Sequence, residues 1–327
     1  MNDESLTGNH NKRETRLDSR KFSRQVHNTN IQQDFLFLLF SLPFLFNIPL
    51  VPMGLSIWPG LYFNDISYLS IGSLVYGLAI VAAAFHSETS TPTPYSKFGN
   101  GAKAFIDSKT AMYIIYLPAL VSALAMRDNV VDGVISRYTL VESFYFVHFA
   151  KRLMEVSYVH IYTSKTDVGT MLTISSTYLL TTTLTLMNLR RIPEDVFSSG
   201  WLALGMLCTI TGEIVNGYHH WLLRQLRLAG GNTAIVNKKL DDQRKYTLPS
   251  GGLFEYCIAP HYAAEQLSYI GIMLMCQNVA GIVLNLFPMV YLTLRSARTH
   301  EWYASKLSSE YERSLLQHRK RLIPGVW

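Results

Sequence analysis

Eight stretches of mostly apolar residues constrain this chain more than any motif in it. They lie near 34–58, 66–85, 110–126, 139–162, 169–188, 199–223, 256–274 and 277–295. Each approaches the roughly 20 residues that a helix needs to cross a bilayer. A backbone in hydrocarbon must satisfy its own hydrogen bonds, and a helix does so within one segment. The expectation is an all-α polytopic membrane protein with about eight transmembrane helices, the fourth and seventh runs being the least apolar. Composition points the same way: of 327 residues, 49% are apolar and only 16% charged, below what two soluble domains of this total length would carry.

Basic residues give the orientation. With eight crossings, the side that holds both termini collects 23 of the 29 Lys and Arg residues and the opposite side collects 4, Arg127, Arg137, Arg190 and Arg191. Lys151 and Arg152 fall inside a run. Both termini are therefore expected on the cytosolic side or its equivalent in another organelle. The net charge of +6 follows from this topology, and no basic patch with interleaved aromatics suggests nucleic acid. Cys208, Cys257 and Cys276 lie in or beside apolar runs, too few for a disulfide framework, and no CxxC pair points to structural zinc. No metal is expected.

Residues 1–33 form a polar arm with six basic and four acidic residues. The arm has no apolar core of a signal peptide, and its acidic residues speak against a cleaved transit peptide. It reads as a disordered or partner-bound segment on the cytosolic side. The Thr, Pro, Ser and Gly-rich stretch at 86–101 reads as a long loop.

Three of the helical runs carry polar stripes. In "VESFYFVHFAKRLMEVSYVHIY", His148, Lys151, Arg152 and Glu155 fall on one face by their three- and four-residue spacing. In "GEIVNGYHHWLLRQLR", Glu213, Asn216, His220, Arg224 and Arg227 step likewise toward a basic loop. His261 and Glu265 are four apart at the start of the seventh run, with Tyr262 and Tyr269 close by. Ionisable groups in lipid are costly and face a bundle interior, so the three stripes require one another. Together they imply a polar cavity near the cytosolic leaflet, in which Arg224 and Arg227 would suit a phosphate-bearing ligand. The plainer alternative is that Lys151–Glu155 and Glu213–His220 are structural pairs.

Several chemistries lack their residues. The ten histidines include one adjacent pair, His219-His220, too few for the His boxes of a membrane di-iron desaturase. There is no Gly-x-Ser-x-Gly elbow and no Gly-x-Gly-x-x-Gly turn. A nucleotide would therefore be held within the bundle.

The C-terminal part resembles the steroid 5α-reductase family. The resemblance rests on Asn216, His220 and "LLRQLR"; on Tyr246, "LP" and Gly251-Gly252; on His261, Tyr262 and Glu265; and on His300, Tyr303 and Arg319-Lys320 with Pro324. It covers about residues 66–327 and leaves 34–65 as an extra N-terminal membrane helix before a reductase-like domain at 66–327. It implies a seven-helix core that binds NADPH between its last helices, with a lipid substrate entering from the membrane. Asn216, His220, Arg224, Arg227, Tyr246, His261, Glu265, His300, Tyr303 and Arg319 would hold the cofactor. The segment around Lys151 looks most like very-long-chain trans-2-enoyl-CoA reductases, which would make Tyr262 and Lys151 the catalytic pair; Pro260-His261-Tyr262 is also similar to polyprenol reductases. Tyr262 would donate the proton, and Lys151 would assist it or bind the carbonyl.

The sequence also departs from the family pattern. Phe149 stands where steroid reductases place a ketone-binding Tyr, and Tyr116-Leu-Pro118 where they have Glu-Leu-Pro. An insertion spans 228–245, and the chain ends in "PGVW".

The resemblance thus implies an NADPH-dependent oxidoreductase of lipid metabolism that reduces a trans-2-enoyl-CoA, in the endoplasmic reticulum or, alternatively, the mitochondrial inner membrane. Its partners would be an acyl-CoA or isoprenoid substrate and membrane lipids. The departures, the arm and the extra helix leave a second reading open, a noncatalytic accessory subunit of a larger membrane complex. Polyprenol or steroid reduction and isoprenylcysteine-type methyl transfer are lesser alternatives.

Overall fold

A computed structural model describes residues 61–62, 64–90, 93, 105–127, 136–236, 248–307 and 309–327. The chain divides into two units, residues 1–49 and 50–327, and every described residue belongs to the second. The polar arm, the run at 34–58, the second half of the insertion (237–245) and Tyr246 lie outside the described residues.

The described part is almost entirely helical. Its helices are α1 (Tyr68–Ser90), α2 (Ser108–Ala125), α3 (Arg137–Met154), α4 (Val168–Leu189), α5 (Ser199–Val236), α6 (Pro260–Cys276), α7 (Val279–Leu284), α8 (Phe287–Lys306) and α9 (Glu310–His318). A two-stranded antiparallel ribbon, β1 (Ile106–Asp107) with β2 (Lys165–Thr166), ties the start of α2 to the approach of α4. Side-chain caps set several helix starts: Ser136 accepts from the Thr139 amide at 3.1 Å, and Asp167 from the Thr170 amide at 2.8 Å.

Each expected apolar run beyond residue 60 falls on helix, with two physical differences. The run at 277–295 is interrupted at Asn285-Leu286. Pro288 sits in the first turn of α8, where its missing amide is tolerated. Asn285 uses the break to accept from the Tyr145 hydroxyl at 2.7 Å and donate to the Gly281 carbonyl at 2.7 Å. The fourth run ends not as α-helix but as a π-helical turn over Glu155–Val159. Among the described residues, three stretches are long and apolar enough to cross a membrane: Tyr68–Ser90, Ser108–Ala125 and Val279–Lys306. The first exposes Val75 and Leu78, and the second exposes Leu117 and Val121, as lipid-facing positions should.

The tightest helix pair is α5 with α6. Gly205, Gly212 and Gly271 let the two backbones approach: a Cβ on Gly205 would meet the Gly271 carbonyl oxygen at 2.7 Å, and one on Gly212 would meet that of Ala264 at 2.6 Å. Small residues drive such contacts in membranes, where no hydrophobic force separates helix from lipid. The pairing brings the polar stripe of α5 against the start of α6. The main core lies between α2, α3, α4 and α6, around Ile115, Tyr145, Phe149, Leu186 and Ile272.

Candidate functional site

The stripes of α3 and α5 meet as one buried ionic network. His148 Nδ1 lies 2.7 Å from Glu213 Oε1. Lys151 Nζ is 3.0 Å from the other Glu213 oxygen, 3.2 Å from Glu155 Oε1 and 2.6 Å from the Asn216 amide oxygen. Arg152 donates to Glu155 Oε2 at 2.8 Å and to the Tyr116 hydroxyl at 2.9 Å. His220 Nδ1 sits 3.0 Å from that same Glu155 oxygen. Buried charges persist where each is paired and hydrogen-bonded, and here two carboxylates are shared among four side chains, His148, Lys151, Arg152 and His220.

Local backbone shapes the network. The π-turn, closed by the His160 amide on the Glu155 carbonyl at 2.7 Å, brings His160 back onto His220 with ring centroids 4.8 Å apart. Such single-turn π segments recur at functional sites. Gly217 leaves room for the Lys151 side chain, whose Cε would lie 3.3 Å from a Cβ there.

The adjacent pair His219-His220 is split by the helical rotation between neighbours. His220 enters the ionic network, whereas His219 Nε2 accepts the Leu253 amide at 3.0 Å and its Nδ1 lies 2.7 Å from the Val215 carbonyl oxygen. An amide only donates and a carbonyl only accepts, so the His219 proton resides on Nδ1. This histidine pins the glycine turn to α5. In that turn Gly251 and Gly252 have φ of 88° and 55°, a backbone that glycine adopts without strain.

Asn216 connects the network to α6. Its oxygen takes Lys151, and its amide nitrogen donates to the His261 carbonyl at 2.8 Å. The His261 ring lies 4.3 Å from Tyr262 and 5.4 Å from His220, centroid to centroid. Glu265, one turn further along, is buried and interacts electrostatically with Arg152, Tyr178 and Tyr269. Lys151 and Tyr262 thus belong to one assembly, linked through Asn216 and the α6 backbone, with Lys151 engaged by two carboxylates and an amide.

The remaining expected cofactor residues form a cap at the end where α5 leaves the bundle. Arg319 donates to the Pro249 carbonyl at 2.5 Å and to Glu255 Oε2 at 3.1 Å, while Glu255 Oε1 accepts the Gly251 amide at 2.6 Å. Arg319 therefore clamps the glycine turn. His300 lies 3.4 Å from the Leu316 carbonyl, and Tyr303 packs with Leu248, Ile258, Leu307 and Leu316. Arg224 donates to the Tyr158 carbonyl. Arg227 is exposed and lies in the electrostatic range of His160 and Tyr303, joining cap to network.

Glu155, His160 and His220 each offer a ligand atom within 4.8 Å of the others. The Arg152 guanidinium is 2.8 Å from one of these atoms and 3.2 Å from another, so a cation already holds that position. His160 and Gly217 were not legible as site residues, and the π-turn that presents His160 has no sequence pattern.

A family model described as 3-oxo-5-alpha-steroid 4-dehydrogenase matches residues 168–327. This span contains α4 to α9 and every expected cofactor residue. Residues 168–327, just under half of the chain, are thus similar to the steroid 5α-reductase family. Similar proteins include 3-oxo-5-alpha-steroid 4-dehydrogenase 1 of Rattus norvegicus, 31% identical over 41% of this chain and 45% of that protein. The Homo sapiens protein of the same name is 30% identical over 40% of this chain and 46% of its own length. A steroid 5-alpha-reductase of Arabidopsis thaliana is 28% identical over 41% and 47%. The chain spans about half the length of the curated relatives it matches. These relatives are named as steroid reductases, whereas the motif around Lys151 favoured the enoyl-CoA branch; that finer assignment is not carried by them. Lys151 and Arg152, with α2 and α3, lie before the matched span.

Proposed function

We propose that this chain is an NADPH-dependent membrane reductase that saturates a carbon–carbon double bond conjugated to a carbonyl in a lipid. The observation that carries this reading is the Lys151–Asn216–His261 connection, which joins the buried ionic network to the start of α6 beside Tyr262.

The donor chemistry suits a dinucleotide phosphate. Arg224 and Arg227 lie at the open end of α5, and a phosphate is a stronger acceptor than the backbone carbonyl that Arg224 now holds. The glycine turn, fixed by Arg319, Glu255 and His219, lies at the same end. Asn216, His220, His261 and Glu265 would border the ring end, and Arg224, Arg227, His300 and Tyr303 the phosphate end. When bound, NADPH supplies a hydride. Lys151, held between Glu155 and Glu213, fixes Asn216 and so the first turn of α6. Tyr262 on that turn is the proposed proton donor to the substrate's α-carbon. The walls of Tyr145, Phe149 and Tyr269 exclude water from the charge that develops on the carbonyl.

The substrate classes to compare are a long-chain trans-2-enoyl-CoA, a polyprenal and a 3-keto-Δ4 steroid. The family relation favours the steroid, and the Lys151 segment favours the thioester. About eight membrane helices, cytosolic termini and the endoplasmic reticulum, with the mitochondrial inner membrane as alternative, complete the proposal. A larger complex would engage the arm at 1–33. Purified protein should bind NADPH and oxidise it with one of the three substrates. Absence of cofactor binding would sink the reductase reading and favour a noncatalytic accessory subunit.

A further inference from the structure

His148 has one nitrogen for the protein and one for a ligand. It is 3% exposed and sits on α3 between α5 and α6. Nδ1 is held by Glu213 at 2.7 Å, and Nε2 is buried with no hydrogen-bond partner among the described residues. The ring meets Phe149 edge-on at 5.0 Å and Tyr269 edge-on at 5.6 Å, centroid to centroid. Leaving a buried imidazole nitrogen without a partner is costly, and nothing in this packing requires a histidine unless Nε2 acquires one.

We infer that His148 is a substrate-binding catalytic residue whose Nε2 donates a hydrogen bond to the carbonyl oxygen of the lipid to be reduced. Glu213 serves it as a positioning residue. The inference rests on the reductase reading above and adds the group that meets the oxygen. The geometry suits that role. Glu213 holds Nδ1 and fixes the ring plane, and the carboxylates of Glu155, Glu213 and Glu265 lie around Lys151 and Arg152. For Nε2 to donate while Nδ1 is held by Glu213, the ring would carry a proton on each nitrogen. Negative charge arriving on a carbonyl oxygen is stabilised most by a donor already oriented in a dry site. His148 is such a donor, with aromatic walls on two sides and its own orientation fixed by a carboxylate.

Two substitutions separate this role from a structural one. An Asn amide nitrogen falls near the Nδ1 position and a Gln amide nitrogen near Nε2. His148→Asn thus retains the bond to Glu213 and removes the inward donor, whereas His148→Gln does the reverse. With trans-2-hexadecenoyl-CoA or progesterone, whichever the wild-type protein reduces, His148→Asn should lower kcat by about 10²–10³-fold. KM should change by less than about threefold and the melting temperature should hold. His148→Gln should keep kcat within about tenfold of wild type. Wild-type kcat in His148→Asn, or equal loss in both variants, would overturn the inference while leaving the reductase reading intact.

A second readout needs no turnover. The infrared band of a 13C-labelled carbonyl probe bound to NADP+-loaded protein should lie at lower wavenumber in wild type than in His148→Asn. Identical bands overturn the inference, as does failure of the wild-type protein to bind either probe. Bound probe with a shifted band but no NADPH oxidation would instead refute the reductase reading alone.

Discussion

Arg295 on α8 reaches across to Glu88 near the end of α1, Nη1 lying 3.1 Å from Oε1, with both side chains buried. The same guanidinium donates to the Thr93 carbonyl at 3.2 Å, and Arg298, one turn on, donates to the carbonyls of Glu88 and Thr89. The last carbonyls of α1 thereby gain partners that the helix itself cannot supply. Removing one member of a buried pair strands the other charge, at a cost of about 3–5 kcal/mol. Arg295→Met should accordingly lower the thermal midpoint in detergent sharply, and the double variant with Glu88→Gln should recover most of that loss. A single variant as stable as wild type would show that the pair contributes nothing.

Gly271→Ala should be poorly tolerated, because its Cβ would meet the Gly205 carbonyl oxygen at 2.5 Å and the Thr209 amide nitrogen at 2.6 Å. Backbone cannot yield as a side chain tip can, and separating α5 from α6 should cost about 1–3 kcal/mol. Gly72→Ala is the control. Nothing lies within 4 Å of a Cβ there, so unfolding in denaturant should register no loss, and a slight gain fits Ala's helix preference.

Lys151→Met leaves Glu155 and Glu213 without their shared cation and Asn216 without its donor. Two effects should appear together: destabilisation of about 3 kcal/mol and a loss of NADPH oxidation exceeding about 100-fold. The first is read by thermal unfolding, the second with the substrate that supports turnover in the wild-type protein. Unchanged oxidation would remove Lys151 from the proposed machinery.

Cys257 lies outside the helices, in the link between the glycine turn and α6, and is fully buried. Burial pushes its thiol up to about 11, against smaller lowering effects of the Ala259 amide and the Arg319 charge. The raised folded value favours the proton-bound thiol, so its stability contribution is complete below the unfolded value and is lost as pH rises toward 11. Thermal stability should therefore fall between about pH 9 and 11, less so in Cys257→Ala. At pH 8, iodoacetamide should label Cys257 slowly in the folded protein and rapidly once it is unfolded.

Much of the site was written in its residues. His148, Lys151, Glu155, Glu213, Asn216 and His220 stand at helical spacing, and the cost of charge in lipid requires them to face inward. Their partners were not written. Glu213–His220 was a plausible structural pair by spacing, yet Glu213 takes His148 and Lys151 while His220 takes Glu155. Arg319, expected to hold a cofactor, donates to Pro249 and Glu255 in the turn that borders the proposed site, partners that its sequence position does not reveal.

Sequence by itself determined where the helices of the described region lie and which faces are polar, because both depend on hydrophobicity and spacing within one segment. Tertiary structure alone decided which groups meet. His148 and Glu213 are 65 residues apart, and Arg295 and Glu88 are 207 apart. Their contacts depend on how each helix is rotated about its axis and how closely glycines let its neighbour approach. The π-turn that returns His160 to His220, and the helical rotation that sends His219 and His220 to different tasks, arise at that level too. Rotation and approach are properties of pairs of helices, and no single segment carries them.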